Sequence, residues 1–341
     1  MFPTIYDIAK KAGVSASTVS KVLNGRSDVG KKTVEKVKRI TEELGYYPNS
    51  IARGLATKKS KTVGVFFRDH LNTGFRHPFL QDILASFKDV VGEHGYDLIF
   101  FTNNHPDNQV ETFEARARHR NVDGLFLLGV PRTDKNLDTL VRSGIPCMSV
   151  DLDLIGPRAN YLCSDNIGGA VSAVDYLVSM GHKKIAFITD FFSTKPGQDR
   201  LLGYNQAMEK HKLPIEKKWI KRSDFTEKGG YQSTMELLED SQSPSAIFCA
   251  GDMMAIGAMK AIQNKGLEVG TDISVIGFDD LSLLSYVSPS LTTVRQKKEI
   301  MGETAAAELL KLMDDSNYQA SPFTIDTELI IRDTVSKYVK G

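Results

Sequence analysis

The sequence predicts an all-α helix-turn-helix head followed by an α/β body of two doubly wound parallel-sheet lobes. Three observations carry this reading. Residues 4–44 hold three short amphipathic helical patterns with no strand-like run between them. From Thr62 onward, short β-rich runs alternate with amphipathic helices, the pattern of parallel sheets covered on both faces. The alternation comes in two series that divide near residue 163, and 341 residues suffice for two or three domains.

In the head, Thr4 and Asp7 form a capping-box-like start for IYDIAKKA, and Gly13 ends that helix. Ser15 can cap ASTVSKVLN, and Asn24-Gly25 marks a turn. KKTVEKVKRITEELGY then places Val34, Val37, Ile40 and Leu44 on one face, with Gly45 just past the end. Small Ala9 and the tight Gly13-Val14 turn let the first two helices cross closely, and Val14, Val19 and Val22 supply the apolar seam. In this geometry the second helix enters the DNA major groove by its N-terminal end. Its outward residues are Ser15, Ala16, Ser17, Ser20 and Lys21. Lys21 can donate to guanine O6 and N7, Ser17 can pair with either kind of base edge, and Ala16 can touch a thymine methyl. The charge distribution agrees. Residues 1–60 carry 12 Lys and Arg against 5 Asp and Glu, a balance of +7, while the remainder carries −6. A basic head on an acidic body points to a polyanion met by the N-terminal segment alone.

Next comes PNSIARGLATKKS, with Ile51, Ala52, Leu55 and Ala56 in an apolar stripe at helical spacing and Asn49 as N-cap. A helix of two turns is marginal alone, since isolated helices shorter than ~12–15 residues rarely hold in water. Two copies in a dimer can pack on each other over the minor groove. Ala52 is small enough for close helix approach there, and Leu55 is a candidate wedge, an apolar side chain able to unstack a base step partly.

The body begins at TVGVFF and runs through FLQDILASFKDVVGEHG, YDLIFFT, VDGLFLLG and IPCMSVD; the second series runs from GGAVSAVDYLVSMGH to DISVIGFDD. The expected division is a DNA-binding head at 1–47, a hinge helix and linker at 48–61, an N-terminal lobe at 62–163 plus 294–323, and a C-terminal lobe at 164–293 plus 324–341. Ligands of such folds sit between the lobes, outside the carboxyl ends of the strands. Asp151, Asp190, Phe191, Phe192, Gly251, Asp252 and Asp279 all follow strand-like runs, and Arg200 is expected at a helix start. A set of carboxylates and a guanidinium with aromatics suits a polyhydroxylated ligand. Asp252 reads as a helix N-cap rather than a ligand contact. Phe225 suits core and ligand site alike.

Several classes are disfavoured. No apolar run approaches the ~18 residues of a membrane span, and the N-terminus lacks the charged and apolar regions of a signal peptide. Cys147, Cys163 and Cys249 lie far apart in apolar runs, as buried reduced thiols of a cytoplasmic protein would. There is no G-x-S-x-G, P-loop, H-E-x-x-H or C-x-x-C, and the histidines lack metal-like spacing. Neither catalysis, a cofactor nor a metal is expected.

TIYDIAKKAGVSASTVSKVLNG, followed by ELGYYPNSIARGLATKKSKTVGV, closely resembles the N-terminus of the LacI/GalR family of bacterial transcription regulators. The likeness continues through SMGHKKIAFI, DRLLGY, DMMAIGAMKAIQNKG, DISVIGFDD and LTTVRQ, and so covers almost the whole chain. It implies a homodimeric repressor on a pseudo-palindromic double-stranded operator, with a periplasmic-binding-protein-like body that binds a small, sugar-like effector. It places base reading on Ala16, Ser17 and Lys21, and positioning contacts on Tyr6, Ser15, Thr18, Ser20, Asn24, Thr33, Tyr46 and Asn49. Tyr6 and Tyr46 also fit a packing role. It places effector binding on Arg200 and Asp279, with weaker roles for Asp151, Phe225 and Gln296. A corepressor- or phosphoprotein-dependent (catabolite-type) regulator is the second reading, and a solute-binding protein the third. No leucine heptad follows IIRDTVSKYVKG, so a dimer is expected rather than a coiled-coil tetramer. One departure stands out: RDHLNTGFRHPFLQDIL is longer than the family pattern and would bring Phe75, His77, Pro78 and Phe79 to the mouth of the cleft, with Phe79 a ligand candidate.

Overall fold

The computed structural model describes residues 3–26, 28–46, 59–67, 77–102, 112–190, 194–240 and 242–339. Most of the expected hinge, including Asn49, Ala52 and Leu55, lies outside the described residues, as do Phe75, Phe191 and Phe192. The chain divides into two compact units, residues 1–61 and 62–341.

The head unit has α1 (Ile5–Ala12), α2 (Ala16–Leu23) and α3 (Lys31–Glu43). Thr4 caps α1 through a complete capping box with Asp7. Gly13 closes α1 at φ 66°, a left-handed conformation that a side chain would strain. Ser15 caps α2 by accepting from the Thr18 amide. Ile8, Ala9, Ala12, Val19, Val22, Val37 and Ile40 form its core.

Among the described residues, the body has two six-stranded sheets. The first contains β1 (Thr62–Phe67), β2 (Asp97–Phe101), β3 (Gly124–Leu128), β4 (Cys147–Val150), β5 (Ala159–Ser164) and β11 (Phe323–Ile325), in the order β11-β5-β4-β3-β1-β2. The second contains β6 (Ile185–Asp190), β7 (Ile220–Ser223), β8 (Ala246–Cys249), β9 (Ser274–Asp279), β10 (Thr292–Arg295) and β12 (Glu328–Ile330), in the order β12-β10-β9-β8-β6-β7. Every pairing is parallel except β10 with β12. The helices that cover the first sheet are α4 (Pro78–Glu93), α5 (Phe113–His119), α6 (Leu137–Arg142) and α11 (Lys298–Asp314). Those of the second are α7 (Asn166–Ser179), α8 (Lys195–Lys210), α9 (Glu227–Glu239) and α10 (Asp252–Asn264). The central strands β3, β8 and β9 are buried along their whole length, as covering on both faces requires. One apolar cluster, with Phe87, Phe126, Phe187 and Phe248, runs through both lobes; a second, with Phe66, Phe113 and Leu140, fills the other face of the first sheet.

The chain passes between lobes three times, after β5, β10 and β11. These crossings lie slightly later than the sequence suggests. β5 runs through Ser164; β10 runs through Arg295 because Arg295 registers with Asp279; β11 runs through Ile325 because Ile325 registers with Ser164. Phe79 is 6% exposed and belongs to the core, on the same α4 face as Ile83 and Phe87. Packing therefore accounts for it, and its ring is not a platform at the mouth of a cleft.

Candidate functional site

The head presents a polar face around the start of α2. Ser17, Lys21, Asn24 and Tyr6 are exposed, while Ala16, Thr18, Ser20 and Thr33 are half-buried. The Ser15 and Thr18 hydroxyls lie 2.8 Å apart, and Asn24 Nδ2 donates to Ser20 Oγ at 3.3 Å. Lys21 Nζ pairs with Asp28 Oδ2 at 2.6 Å. The hydrogen bond from Lys21 holds the Asp28 carboxyl below its usual range. Both partners are about half exposed, so the pair is weak and Lys21 can exchange it for a base edge at little cost. Tyr6 is 73% exposed, as a DNA contact needs, whereas Tyr46 packs partly buried against the head core.

In the body, the carboxyl ends of β4, β6, β8 and β9 bring the other candidates together. Arg200 stands in the second turn of α8 rather than at its start, because the helix begins five residues earlier at Lys195 under a Thr194 cap. The residue is 2% exposed. Nε donates to Asn166 Oδ1 at 2.8 Å, Nη1 donates to the Ala250 carbonyl, and Nη1 lies 3.7 Å from Asp279 Oδ1. The guanidinium carbon sits 3.7 Å from the centroid of the Phe278 ring, a cation–π stack. Burial lowers the pKa of Arg200 and the carboxylates of Asp279 and Asp151 oppose that shift; an arginine stays charged regardless.

Asp279 ends β9 and is 5% exposed. Its Oδ1 accepts from Gln296 Nε2 at 2.6 Å. Burial raises its pKa, while Arg200, His77, Gln296 and Lys298 oppose the rise. Asp151 follows β4 from the opposite lobe. It is half-buried, but its Oδ1 is inaccessible and has no hydrogen-bond partner among the described residues. Burial pushes its carboxyl up to about 7, against the pull of Arg200. Phe225 is partly buried, and a Cβ on Gly251 would come within 3.0 Å of its ring and 3.6 Å of Asp279 Oδ2. The glycine thus lets ring and carboxylate approach the same backbone. Asp151, Phe225 and Asp279 hold φ at 57°, 59° and 123°. Such conformations cost on the order of 1–3 kcal/mol each where sparsely populated, and they concentrate at ligand sites.

Asp190 and Asp252 have structural employment. Asp190 Oδ2 accepts from the Thr194 amide at 2.9 Å. Gly251, not Asp252, is the N-cap of α10. Asp252 is fully buried instead, accepting from Thr293 Oγ1 at 2.6 Å and the Leu281 amide at 2.9 Å, which ties α10 to β10 and to the turn after β9. Sequence reasoning missed Asn166, Phe278 and Lys298. Phe278 had a signal, its place one residue before Asp279. Lys298, 5% exposed, donates to the carbonyls of Asp280 at 2.7 Å and Asp279 at 3.4 Å, fixing the β9 end from the crossing into α11. A further contact bridges the lobes: Arg132, beyond β3, donates to Gln198 Oε1 on α8 and to Asp153 Oδ2, each at 2.7 Å.

A helix-turn-helix head joined to a two-lobed α/β body with a charged interlobe site defines a DNA-binding regulator carrying a small-molecule domain. Comparison with known proteins makes this specific. Residues 4–49 match the bacterial regulatory proteins of the lacI family, and residues 174–335 match the periplasmic binding protein-like domain. The chain is 32% identical to the ribose operon repressor of Haemophilus influenzae, over 97% of this chain and 98% of that one. It matches the lac repressor dimer bound to operator and the anti-inducer ONPF with a TM-score of 0.85 at 30% identity, over 98% and 100% of the two chains. It matches the complex of the transcriptional regulator CelR with cellobiose with a TM-score of 0.74 at 28% identity, over 97% and 99%. The chain belongs to the lacI family of bacterial regulatory proteins and is a DNA-binding transcription regulator. Among the described residues, no helix is long and apolar enough to cross a membrane.

Proposed function

We propose that this regulator is a cytoplasmic repressor that binds operator DNA as a homodimer and changes its operator affinity when a small, sugar-like effector enters between the lobes. The observation that carries the effector reading is the buried Arg200–Asp279 pair at the strand ends of one lobe, with Asp151 supplied by the other. A ligand that bridges them gains contacts only when the lobes are closed, and such differential affinity is what an allosteric effector needs. Phe225 supplies an apolar face and Gln296 orients Asp279. In the head, Lys21, Ser17 and Ala16 read bases, while Tyr6, Ser15, Thr18, Ser20, Asn24 and Thr33 position the module on the backbone. The residues are employed in recognition and not in turnover.

The test is Arg200→Ala in the full-length protein, assayed by operator titration with and without effector. Operator binding should persist and the response to effector should disappear. A retained response would remove Arg200 from the pocket and the pocket from this place.

A further inference from the structure

A carboxylate on a surface that meets phosphates is repelled by them, so an acid on the DNA-facing side of the head calls for a use. Asp7 closes the capping box of α1, and Glu43 pairs with Lys11 at 2.9 Å, which ties α3 to α1. Asp28 is paired instead with Lys21, on the outward face of α2, at 2.6 Å. A Schellman turn puts it there. Gly25 takes φ 70° just past α2, its amide donates to the Val22 carbonyl, and the Arg26 amide donates to the Lys21 carbonyl at 2.9 Å. Val29 then packs partly buried against the head core. Between these two anchors the chain returns alongside the last turn of α2 and delivers Asp28 to the Lys21 ammonium. Both side chains stay about half exposed, so the pair lies open to whatever meets the α2 face.

A lysine by itself discriminates poorly, because its ammonium is a point charge that serves any acceptor, phosphate or base. A carboxylate fixed beside it demands a donor next to the acceptors. In the major groove, a G·C pair shows guanine N7 and O6 as two acceptors side by side, followed by the cytosine N4 amino group as donor. O6 and N4 hydrogen-bond each other within the pair and so stand about 2.9 Å apart. Lys21 Nζ and Asp28 Oδ2 are 2.6 Å apart, a close match. An ammonium has three donors. One can stay on Asp28 while two reach O6 and N7, and Asp28 accepts the outer N4 hydrogen. An A·T pair sets its N6 amino group between two acceptors, so the ammonium meets one acceptor beside the carboxylate rather than two. The joined groups are neutral as a pair, which offsets the repulsion that a lone carboxylate would meet from phosphates.

We infer that Asp28 is a base-reading residue and that Lys21 and Asp28 together read a single G·C pair, the lysine on guanine and the carboxylate on cytosine N4. This rests on α2 reading bases through Lys21, as proposed above. The test begins with operator sequences selected from random duplex DNA by the full-length wild-type protein. Symmetric variants at each base pair are then compared by competition titration with wild type, Lys21→Ala and Asp28→Ala, each checked for folding by circular dichroism. Lys21→Ala should flatten a G·C preference at one pair. Asp28→Ala should narrow the preference at that same pair by about three-fold or more and leave the other pairs unchanged. A second arm replaces the cytosine of that pair with 2-pyrimidinone, which lacks the N4 amino group. The replacement should weaken wild-type binding several-fold more than it weakens Asp28→Ala, since any loss from poorer base pairing is common to both proteins. Equal losses overturn the inference. So does a uniform gain in affinity of Asp28→Ala for every sequence with preferences intact, the mark of a carboxylate that only repels phosphate. If Lys21→Ala leaves every preference unchanged, the assignment of Lys21 fails and this inference with it. If Lys21→Ala flattens a pair that Asp28→Ala leaves intact, Lys21 stands and Asp28 alone is excluded.

Discussion

The buried Asp151 carboxyl makes effector binding a function of pH, with a sign that the geometry dictates. Its pKa is pushed up to about 7 by burial. The charged groups around it are Arg200, Lys195 and Asp199 on α8 and Asp279 at the end of β9. Hydroxyl donors on a ligand stabilise the ionised form, so binding must expel a proton wherever Asp151 is protonated beforehand. With a pKa of about 7, roughly one tenth of the free protein carries ionised Asp151 at pH 6 and roughly nine tenths at pH 8. A neutral sugar should therefore bind about ten-fold tighter at pH 8 than at pH 6, close to ~1.4 kcal/mol. The contribution to folding runs the opposite way. A folded-state pKa raised above the ordinary carboxylate value favours folding most at low pH, and that contribution is lost as pH rises through about 7. Bound ligand should thus add most to thermal stability on the alkaline side. The assay is isothermal calorimetry at pH 6, 7 and 8 in buffers of different ionisation enthalpy, which reads affinity and proton release together. About one proton should leave at pH 6 and almost none at pH 8. A His77→Gln control isolates the charge that His77 exerts on Asp279, whose own pKa burial raises. A flat affinity, a tighter complex at pH 6, or an undiminished slope in Asp151→Asn would refute the reasoning.

Three further outcomes follow from the geometry. Lys21→Ala should weaken preference at one symmetric operator position by roughly 1–3 kcal/mol, read by competition among operator variants; unchanged selectivity would remove Lys21 from base reading. Asp252→Ala deletes the acceptor of two buried hydrogen bonds and strands the Thr293 hydroxyl and the Leu281 amide, so urea midpoints should report a loss of about 2–4 kcal/mol. A loss well under 1 kcal/mol would show that the tie between α10 and β10 is dispensable. Arg132→Ala removes the link to Gln198 across the lobes and should weaken effector affinity several-fold while leaving operator binding intact. Small-angle scattering of the ligand-free variant should show greater expansion of the body than in the parent. Unchanged affinity would reduce the link to an incidental contact of the cleft rim.

How much of this was legible in the sequence depends on how far each feature reaches along the chain. The head was legible because its determinants are local: Thr4 bonds Asp7 three residues on, Ser15 bonds Thr18, and Gly13 alone supplies the left-handed turn. The strands were legible because parallel burial writes continuous apolar runs. Sheet order was not, since β11 joins β5 across more than 150 residues through three backbone registers that leave no periodic trace. The site was half legible. Asp151, Asp279 and Arg200 could be placed by the rule that ligands meet strand ends, but their partners could not. Asn166, Ala250 and Phe278 meet the guanidinium from three separate elements, and a backbone carbonyl has no signature at all. Phe79 shows the opposite error. Its spacing with Ile83 and Phe87 already wrote a core face, and the length of the preceding loop drew attention from that periodicity. Asp252 had the type and position of an N-cap, yet Gly251 starts α10 and Asp252 turns its carboxylate toward Thr293, over 40 residues away. A carboxylate buried without solvent must find donors, and which donors it finds is settled by the packing of the sheet rather than by its neighbours in sequence. The same logic makes the unsatisfied atoms informative. Where every other buried carboxylate of this cluster has recruited donors from its own chain, Asp151 Oδ1 has none among the described residues, which is what the proposed role at the effector site requires of it.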